Sequence, residues 1–259
     1  MIKTKVIGRV FRQDEIADQI YDMWIETELA QGARPGQFVC VYTKNAAALL
    51  PRPISICEVN EEKTMLRLVY RTVGTGTNEF ADYHAGTEIS LLGPLGNGFP
   101  VEKAAGKRVF LIGGGIGIPP MLQLSKEIKK AGQAYCELSV LGYRNELFLN
   151  TDLEKYSQVY VATEDGSAGT KGTVLDAIKE KGLSGDVIFA CGPMPMLRAI
   201  KEYAAANNME AYISLEEHMA CGVGACLGCV CKTKNVDVHS HVHNSRICTD
   251  GPVSVSYTH

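Results

Sequence analysis

Five of the nine cysteines in this 259-residue chain fall between Cys221 and Cys248, and they limit what that part of the chain can be. From about residue 216 the sequence is rich in Cys, Gly and His and has no helical period. A segment of roughly 44 residues buries too little surface to hold itself together, so it is expected to fold around something bound. Cys221, Cys226 and Cys229 are spaced C-x4-C-x2-C, and Cys248 follows after 18 intervening residues. This is the ligand spacing of a plant-type [2Fe–2S] cluster, with a short return to the fourth thiolate. Four thiolates must converge on two irons, so the loop has to wrap tightly. Gly222, Gly224 and Gly228 allow that, because glycine tolerates positive φ and close backbone approach. Their amides can also point at sulfur and tune its potential. Structural zinc is the competing use of four cysteines, but zinc sites usually come as two C-x2-C-like knuckles. Cys231 lies just past the ligands and reads as a bystander. His239, His241 and His243 alternate, which puts them on one face of a strand or hairpin. Four cysteines already suffice as ligands, so a solvated β-ribbon is expected there.

The other cysteines, Cys40, Cys57, Cys136 and Cys191, stand singly among apolar neighbours and read as small buried hydrophobes. The opening MIKTKVIGRVFRQDE has no apolar core of a secretory signal. Clustered cysteines without such a signal favour a metal or cluster over disulfides, and a cytoplasmic setting. No stretch approaches the ~20 apolar residues of a membrane span. A net charge of −3 and a pI of about 6.1 give no electrostatic reason to expect a nucleic-acid partner.

Upstream of the cysteines the chain has two patterns. Residues 1–102 hold short alternating or β-branched runs: KTKVIGRVF, YDMWIETE, QFVCVYT, TMLRLVYRTV and TEISLLG. Turn signals separate them, at Gly32, Pro35-Gly36, Asn60, Gly74, Gly86 and Gly93-Pro94. Short strands at this spacing predict a barrel or sandwich. Residues 103–214 instead alternate strand and helix. KRVFLIG, AYCELSVLG, QVYVATEDG, DVIFACG and EAYISLE read as strands. PPMLQLSKEIKKAG, TVLDAIKEKG and PMPMLRAIKEYAAANN read as helices, the first two stopped by Gly132 and Gly182. This alternation predicts a mostly parallel sheet with helices on both faces. The expected fold is therefore multidomain β plus α/β: an antiparallel β-barrel (1–102), a parallel-sheet α/β domain (103–214) and a small C-terminal [2Fe–2S] domain (215–259).

Two turns in the α/β region suit a dinucleotide. Gly113, Gly114, Gly115 and Gly117 lie between a buried strand and a helix opening, where backbone N–H groups can take a pyrophosphate. The spacing is Gly115-x-Gly117-x-x-Pro120 rather than G-x-G-x-x-G. Cys191, Gly192 and Pro193 make a second turn at the end of another strand, and open α/β sheets bind ligands at such ends. After the second strand Glu146 suits an adenosine ribose, while Arg144 suits a 2′-phosphate, so the residues alone leave NAD and NADP open. In the β-rich region Arg52 sits between prolines in an extended run with Ser55 following, and an Arg beside backbone donors suits a phosphate. Gly74, Thr75, Gly76 and Thr77 form a strand-ending turn of similar character.

The order Arg52-Pro53-Ile54-Ser55, Val73-Gly74-Thr75-Gly76-Thr77, Gly93-Pro94-Leu95-Gly96, Gly113-Gly114-Gly115-Ile116-Gly117 and Cys191-Gly192-Pro193-Met194 resembles the ferredoxin–NADP reductase superfamily. With ACGVGACLGCVCK and CTDGPV added, the chain resembles one branch of it, the electron-transfer subunits of class 1B dihydroorotate dehydrogenase. The resemblance spans essentially the whole chain. It implies an oxidoreductase subunit of pyrimidine biosynthesis, with an FAD-binding barrel, a nicotinamide-binding α/β domain and a [2Fe–2S] domain. It implies FAD on Arg52, Pro53, Ile54 and Ser55, on Val69, Tyr70 and Arg71, and on Gly76 and Thr77. It implies the cluster on Cys221, Cys226, Cys229 and Cys248, with NAD as the usual electron acceptor. The implied partner is an FMN-containing catalytic subunit that oxidises dihydroorotate, in a heterotetramer of two of each. Cofactors would carry the chemistry, so no acid–base triad is expected. The histidine-rich run and the short end SVSYTH depart from the pattern. Three other readings compete: a reductase subunit serving a ferredoxin- or sulfur-linked partner, a stand-alone NADH reductase, and a zinc-stapled binding module.

Overall fold

The computed structural model describes residues 5–234, 236 and 241–256. The chain forms two compact units, residues 1–98 with 216–252 and residues 99–215 with 253–259.

In the first unit, six strands close into an antiparallel barrel. They are β1 (Lys5–Ala17), β2 (Ile20–Glu26), β3 (Phe38–Tyr42), β4 (Arg52–Val59), β5 (Met65–Arg71) and β6 (Glu88–Leu95), in the order β1-β2-β5-β4-β3-β6. Alternating residues such as Met23, Ile25, Val39, Val41, Leu66 and Leu68 fill the interior and are at most 1% exposed. β4 is the strand that Pro51 and Pro53 conceal in the sequence. It pairs with β3 from Val41↔Arg52 to Phe38↔Ser55, but with β5 only from Ile56 onward. Its first residues thus have an edge with no ladder to complete, and proline is tolerated there. The run after β5 is not an open turn but a short helix, α1 (Thr75–Ala81). One side chain fastens it: the Gln13 amide nitrogen lies 2.9–3.1 Å from the carbonyl oxygens of Phe80, Ala81 and Tyr83.

The second unit alternates as expected. Its elements are β7 (Arg108–Gly114), α2 (Pro119–Ala131), β8 (Cys136–Tyr143), α3 (Asn150–Glu154), β9 (Gln158–Thr163), β10 (Thr170–Lys171), α4 (Val174–Glu180), β11 (Val187–Cys191), α5 (Met194–Ala206) and β12 (Glu210–Ser214). Gly132 caps α2 in the left-handed conformation, which no β-carbon opposes. Strand order is β10-β9-β8-β7-β11-β12, all parallel, so the order reverses between β7 and β11.

The cysteine-rich segment of the first unit contributes a two-stranded ladder, β13 (Val230–Lys232) with β14 (Asn244–Arg246). Arg246 and Asp250, paired at 3.2 Å, brace the return to Cys248. The last strand, β15 (Val253–Val255), runs antiparallel to β12 at the edge of the α/β sheet. No helix among the described residues is long and apolar enough to cross a membrane. The expected histidine ribbon falls only partly on the described residues. His239 lies outside the described residues. His241 has φ 56° and His243 hydrogen-bonds the Lys234 carbonyl at 2.8 Å, both in the connection before β14 rather than on a strand.

Candidate functional site

The four ligand candidates are neighbours in two pairs, Cys221 with Cys226 and Cys229 with Cys248: burial and the nearby Cys229 sulfur push the Cys248 thiol up, while the Cys226 side chain helps draw the Cys221 thiol down. Among the described residues no group of three or more His, Cys, Asp and Glu side chains is arranged to hold a single metal ion. Two pairs of thiols are what a dinuclear cluster needs, since each iron takes two protein sulfurs and two bridging sulfides. The loop backbone is already turned toward sulfur. The amides of Val223, Ala225 and Cys226 lie 3.3–3.4 Å from Cys221 Sγ, and that of Gly228 lies 3.4 Å from Cys226 Sγ. The Cys248 amide donates to Cys229 Sγ at 3.4 Å. Burial pushes the Cys221 thiol up, but the amides outweigh it and bring the group down to about 6. Gly222 and Gly224 take φ of 69° and 83°, as tight wrapping requires. Gly228 does not, although a β-carbon there would meet Cys226 Sγ at 3.4 Å. Cys229 and Cys248 are buried, whereas Cys226 is exposed. Cys231 sits on β13 opposite Ser245, outside both pairs, and burial pushes its thiol up.

In the same unit, β4 and α1 meet through Arg52. Its guanidinium lies across Gly76, where a β-carbon would fall 2.4 Å from Nε. The guanidinium therefore rests against the first turn of α1, which carries no side chain at Gly76. Arg52 also donates to the Leu50 carbonyl. Thr77 Oγ1 accepts from the Val73 amide at 2.9 Å and donates to the Gly74 carbonyl at 3.1 Å, which fixes the turn. Glu79 pins the neighbouring loop: its carboxylate accepts from the amides of Lys44 (2.6 Å) and Asn45 (3.2 Å) and from the Tyr83 hydroxyl (2.5 Å). That loop carries Leu49 and Leu50, 82% and 53% exposed. It lines a cleft of about 500 Å³ with Arg52, Pro53, Glu217, His218 and Met219. A cation and helix-turn amides beside an apolar cleft fit a large planar group with a phosphate tail.

Of the remaining flavin candidates, Ile54 packs against the barrel core and Ser55 is half-buried on β4. Val69 and Tyr70 are 3% exposed, and Arg71 is exposed at the end of β5. The Tyr70 ring is committed to the interior. It stacks on Tyr21 at 5.8 Å and donates its hydroxyl proton to Gln13 at 2.8 Å. Tyr70 is thus free to meet a ligand only through its backbone.

The glycine turn and the Cys191-Gly192-Pro193 turn are neighbours at the strand-order reversal. Gly113 pairs with Cys191, so β7 and β11 end side by side. A β-carbon on Gly117 would fall 2.4 Å from the Cys191 carbonyl oxygen, and one on Gly114 would fall 2.6 Å from Met196 Sδ. The backbones touch, so the N-termini of α2 and α5 open together. Two helix N-termini at a switch point form an anion site of the dinucleotide-binding type. Gly115 has φ 52° and open space above it. Arg144 and Glu146 are both exposed beyond β8.

Comparisons with known proteins match both regions of the chain. The iron-sulfur cluster binding domain of dihydroorotate dehydrogenase B matches residues 216–255, and the oxidoreductase NAD-binding domain matches residues 111–202. The dihydroorotate dehydrogenase B (NAD(+)) electron transfer subunit of Geobacillus sp. (strain WCH70) is 42% identical over 94% of both chains. That of Bacillus caldolyticus is 42% identical over 96% of this chain and 97% of its own. The chain belongs to the family of dihydroorotate dehydrogenase B electron transfer subunits. Among solved structures, a chain of an NADH-dependent reduced ferredoxin-NADP oxidoreductase matches all of this chain and 91% of its own, with TM-score 0.86 and 28% identity. A ferredoxin NADP+ reductase from Neisseria gonorrhoeae shares the fold, with TM-score 0.66 and 16% identity over 79% of this chain and 91% of its own.

Several contributors to the site carry no motif in this family member's sequence. Gln13 and Glu79 hold α1 and its loop from 67 to 35 residues away, and only the folded barrel brings them there. Cys40, Cys57 and Cys191 are buried as their apolar neighbours suggest, but Cys136 is only half-buried at the start of β8. Cys40 also lies against the cysteine loop, and burial with the nearness of Cys221 pushes its thiol up to about 12.

Proposed function

We propose that this chain is the FAD- and [2Fe–2S]-carrying electron-transfer subunit of an NAD-linked dihydroorotate dehydrogenase, acting in pyrimidine biosynthesis between the FMN of a dihydroorotate-oxidising partner and NAD. The observation that carries the reading is the cysteine loop itself, in which the amides of Val223, Ala225 and Cys226 face Cys221 Sγ, that of Gly228 faces Cys226 Sγ and that of Cys248 faces Cys229 Sγ. A bound flavin exchanges hydride with nicotinamide and single electrons with a cluster, which is why it belongs between the two. The chain's own residues bind and orient. Arg52, with the Gly76-Thr77 turn, takes the FAD diphosphate, while Pro53, Ile54, Ser55 and the backbone of Val69, Tyr70 and Arg71 line the flavin. Gly113, Gly114, Gly115 and Gly117, with Cys191, Gly192 and Pro193, take the NAD pyrophosphate on two helix N-termini. Cys221, Cys226, Cys229 and Cys248 would hold the [2Fe–2S] cluster.

The domains this reading assigns are an FAD barrel over 1–102, a nicotinamide domain over 103–214 and a cluster segment from 215 onward. Val223 and Leu227, 39% and 61% exposed, flank exposed Cys226 and offer the partner an apolar contact at the cluster. The partner carries FMN, and the assembly holds two copies of each subunit. Nine cysteines without a disulfide among the described residues suit a reducing cytoplasm. The 28% identity to the ferredoxin-linked oxidoreductase chain favours a second reading, service to a ferredoxin-linked partner. The 42% identity to the electron transfer subunits favours the first.

The test is anaerobic. The chain, isolated with its partner, is expected to support dihydroorotate-dependent reduction of NAD. Cys226→Ser is expected to lower that rate on the order of 100-fold while NADH-driven reduction of an artificial dye is retained. Equal loss of both activities would overturn this order of carriers. Dihydroorotate-independent turnover with reduced ferredoxin would favour the second reading.

A further inference from the structure

Across the first unit's ladder, Cys40 on β3 stands directly opposite Pro53 on β4 and opposite Leu92 on β6. Residues opposite one another across antiparallel strands point to the same side of the sheet. The neighbours of Cys40 along β3, Val39 and Val41, fill the barrel interior, so Cys40, Pro53 and Leu92 form a row on the outer face. An outward-facing position on a barrel is ordinarily wet, yet Cys40 is 0% exposed. What covers it is the cysteine loop. A β-carbon built on Gly222 would fall 2.7 Å from Cys40 Sγ and 3.1 Å from a methyl of Leu95. Gly222, in its left-handed conformation, is therefore seated on the Cys40 thiol. It immediately follows the ligand candidate Cys221, whose sulfur gathers the amides of Val223, Ala225 and Cys226.

We propose that Cys40 is a positioning residue for the [2Fe–2S] cluster, its thiol forming the seat on which the Gly222 turn fixes Cys221 beside the flavin strand. This inference rests on the cluster reading above. Two properties of the side chain matter. Its volume sets the height of the Gly222 turn, because a larger group meets backbone and a smaller one leaves a gap. Its sulfur is polarizable and its S–H is a weak donor, in a dry contact next to a ligand sulfur, where outer contacts tune a cluster's potential. The same row reaches Pro53, so one side chain touches both the strand assigned to the flavin and the turn that carries a ligand. An ordinary core cysteine would have only the first contact.

The experiment compares Cys40→Ala, Cys40→Ser and Cys57→Ala in the complete protein. Cys57 is also 0% exposed and lies on β4, and so serves as the matched barrel cysteine. Iron and sulfide content, the electron paramagnetic resonance spectrum of the reduced cluster, its midpoint potential and FAD occupancy are measured for each. Wild-type protein is expected to carry two irons and two sulfides per chain. Cys40→Ala is expected to shift the midpoint potential downward and change the g-values, with FAD retained. Cys40→Ser, which keeps size and a donor, is expected to return both toward wild type, and Cys57→Ala to leave both unchanged. A Cys40→Ala cluster with the wild-type potential and spectrum overturns the inference while leaving the cluster reading intact. An equal shift in Cys57→Ala also overturns it, because general loosening of the barrel would then be the cause. Wild-type protein without iron and sulfide overturns the reading and the inference with it.

Discussion

A single carboxylate in the α/β unit makes stability depend on pH in a range that ordinary glutamates leave flat. Glu137 follows the start of β8 and receives the Ser125 hydroxyl of α2 at 3.1 Å. Burial pushes its carboxyl up to about 7, against the smaller opposing effects of Ser125 and Lys129. A carboxyl whose folded value lies above its unfolded value favours the fold while protonated. That contribution is complete below about 4.5 and is lost as pH rises through about 7. The difference is on the order of 2 kcal/mol after allowing for partial exposure. Glu137→Gln removes the dependence, since the amide never charges. Thermal unfolding is expected to show the variant level with wild type near pH 5 and more stable at pH 8. Parallel curves at the two pH values would show that Glu137 ionises freely in the fold. Other single residues act through room rather than charge. Gly117 admits no β-carbon because the Cys191 carbonyl already fills the space, and its necessity is steric before it is functional.

Elements show where the sequence speaks and where it falls silent. α2 and α4 are legible because each has a periodic face and a Gly stop, at Gly132 and Gly182. The cluster loop is legible because spacing alone carries its chemistry. β4 is not, because Pro51 and Pro53 look like breakers until the missing β5 ladder beside Arg52 is known. α1 is hidden for a different reason. Seven residues beginning Thr-Gly-Thr have weak intrinsic helix preference, and what stabilises them is Gln13, Glu79 and the Thr77 hydroxyl. β15 is likewise set by its partner β12, since three residues carry no period of their own. The site follows the same division: cysteines and glycine turns can be read locally, whereas the Arg52–Gly76 contact is long-range and cannot. That contact gives an expected outcome at this scale. Arg52→Ala leaves α1 in place, because Gln13 and Thr77 hold it, but removes the cation. Hydrogen bonds to charged groups contribute about 1.5–3 kcal/mol, so the FAD dissociation constant is expected to rise roughly 10- to 100-fold. Titration of flavin-stripped protein with FAD measures it, and an unchanged constant would remove Arg52 from the flavin site.

For the whole molecule, the question is how much of the chain depends on the cluster. Each compact unit has its own apolar interior: the barrel buries Met23, Ile25, Val39, Leu66 and Leu68, and the sheet buries Val109, Phe110, Leu111, Val140 and Ile188. Among the described residues of 216–252 there is no comparable interior. The regular structure of these described residues is one ladder of three pairs, and their hold on the barrel includes the Gly222 seat and two hydrogen bonds from Asn97, to the carbonyls of Asp250 (2.8 Å) and Gly251 (2.5 Å). Four thiols that must release protons to bind iron make that segment's folding and its metal content one equilibrium. The α/β sheet, with its own buried interior, has no part in it. Removing iron with a chelator is therefore expected to speed amide exchange across 221–232 and 244–250, while exchange in β7, β8 and β11 stays slow. NADH affinity and NADH-driven dye reduction should survive the same treatment, because α2, α5 and the glycine turns keep their own support. If iron removal instead accelerated exchange in β7 and abolished NADH binding, the cluster would be a structural centre of the whole chain rather than a carrier attached to a self-supporting flavin and nucleotide scaffold.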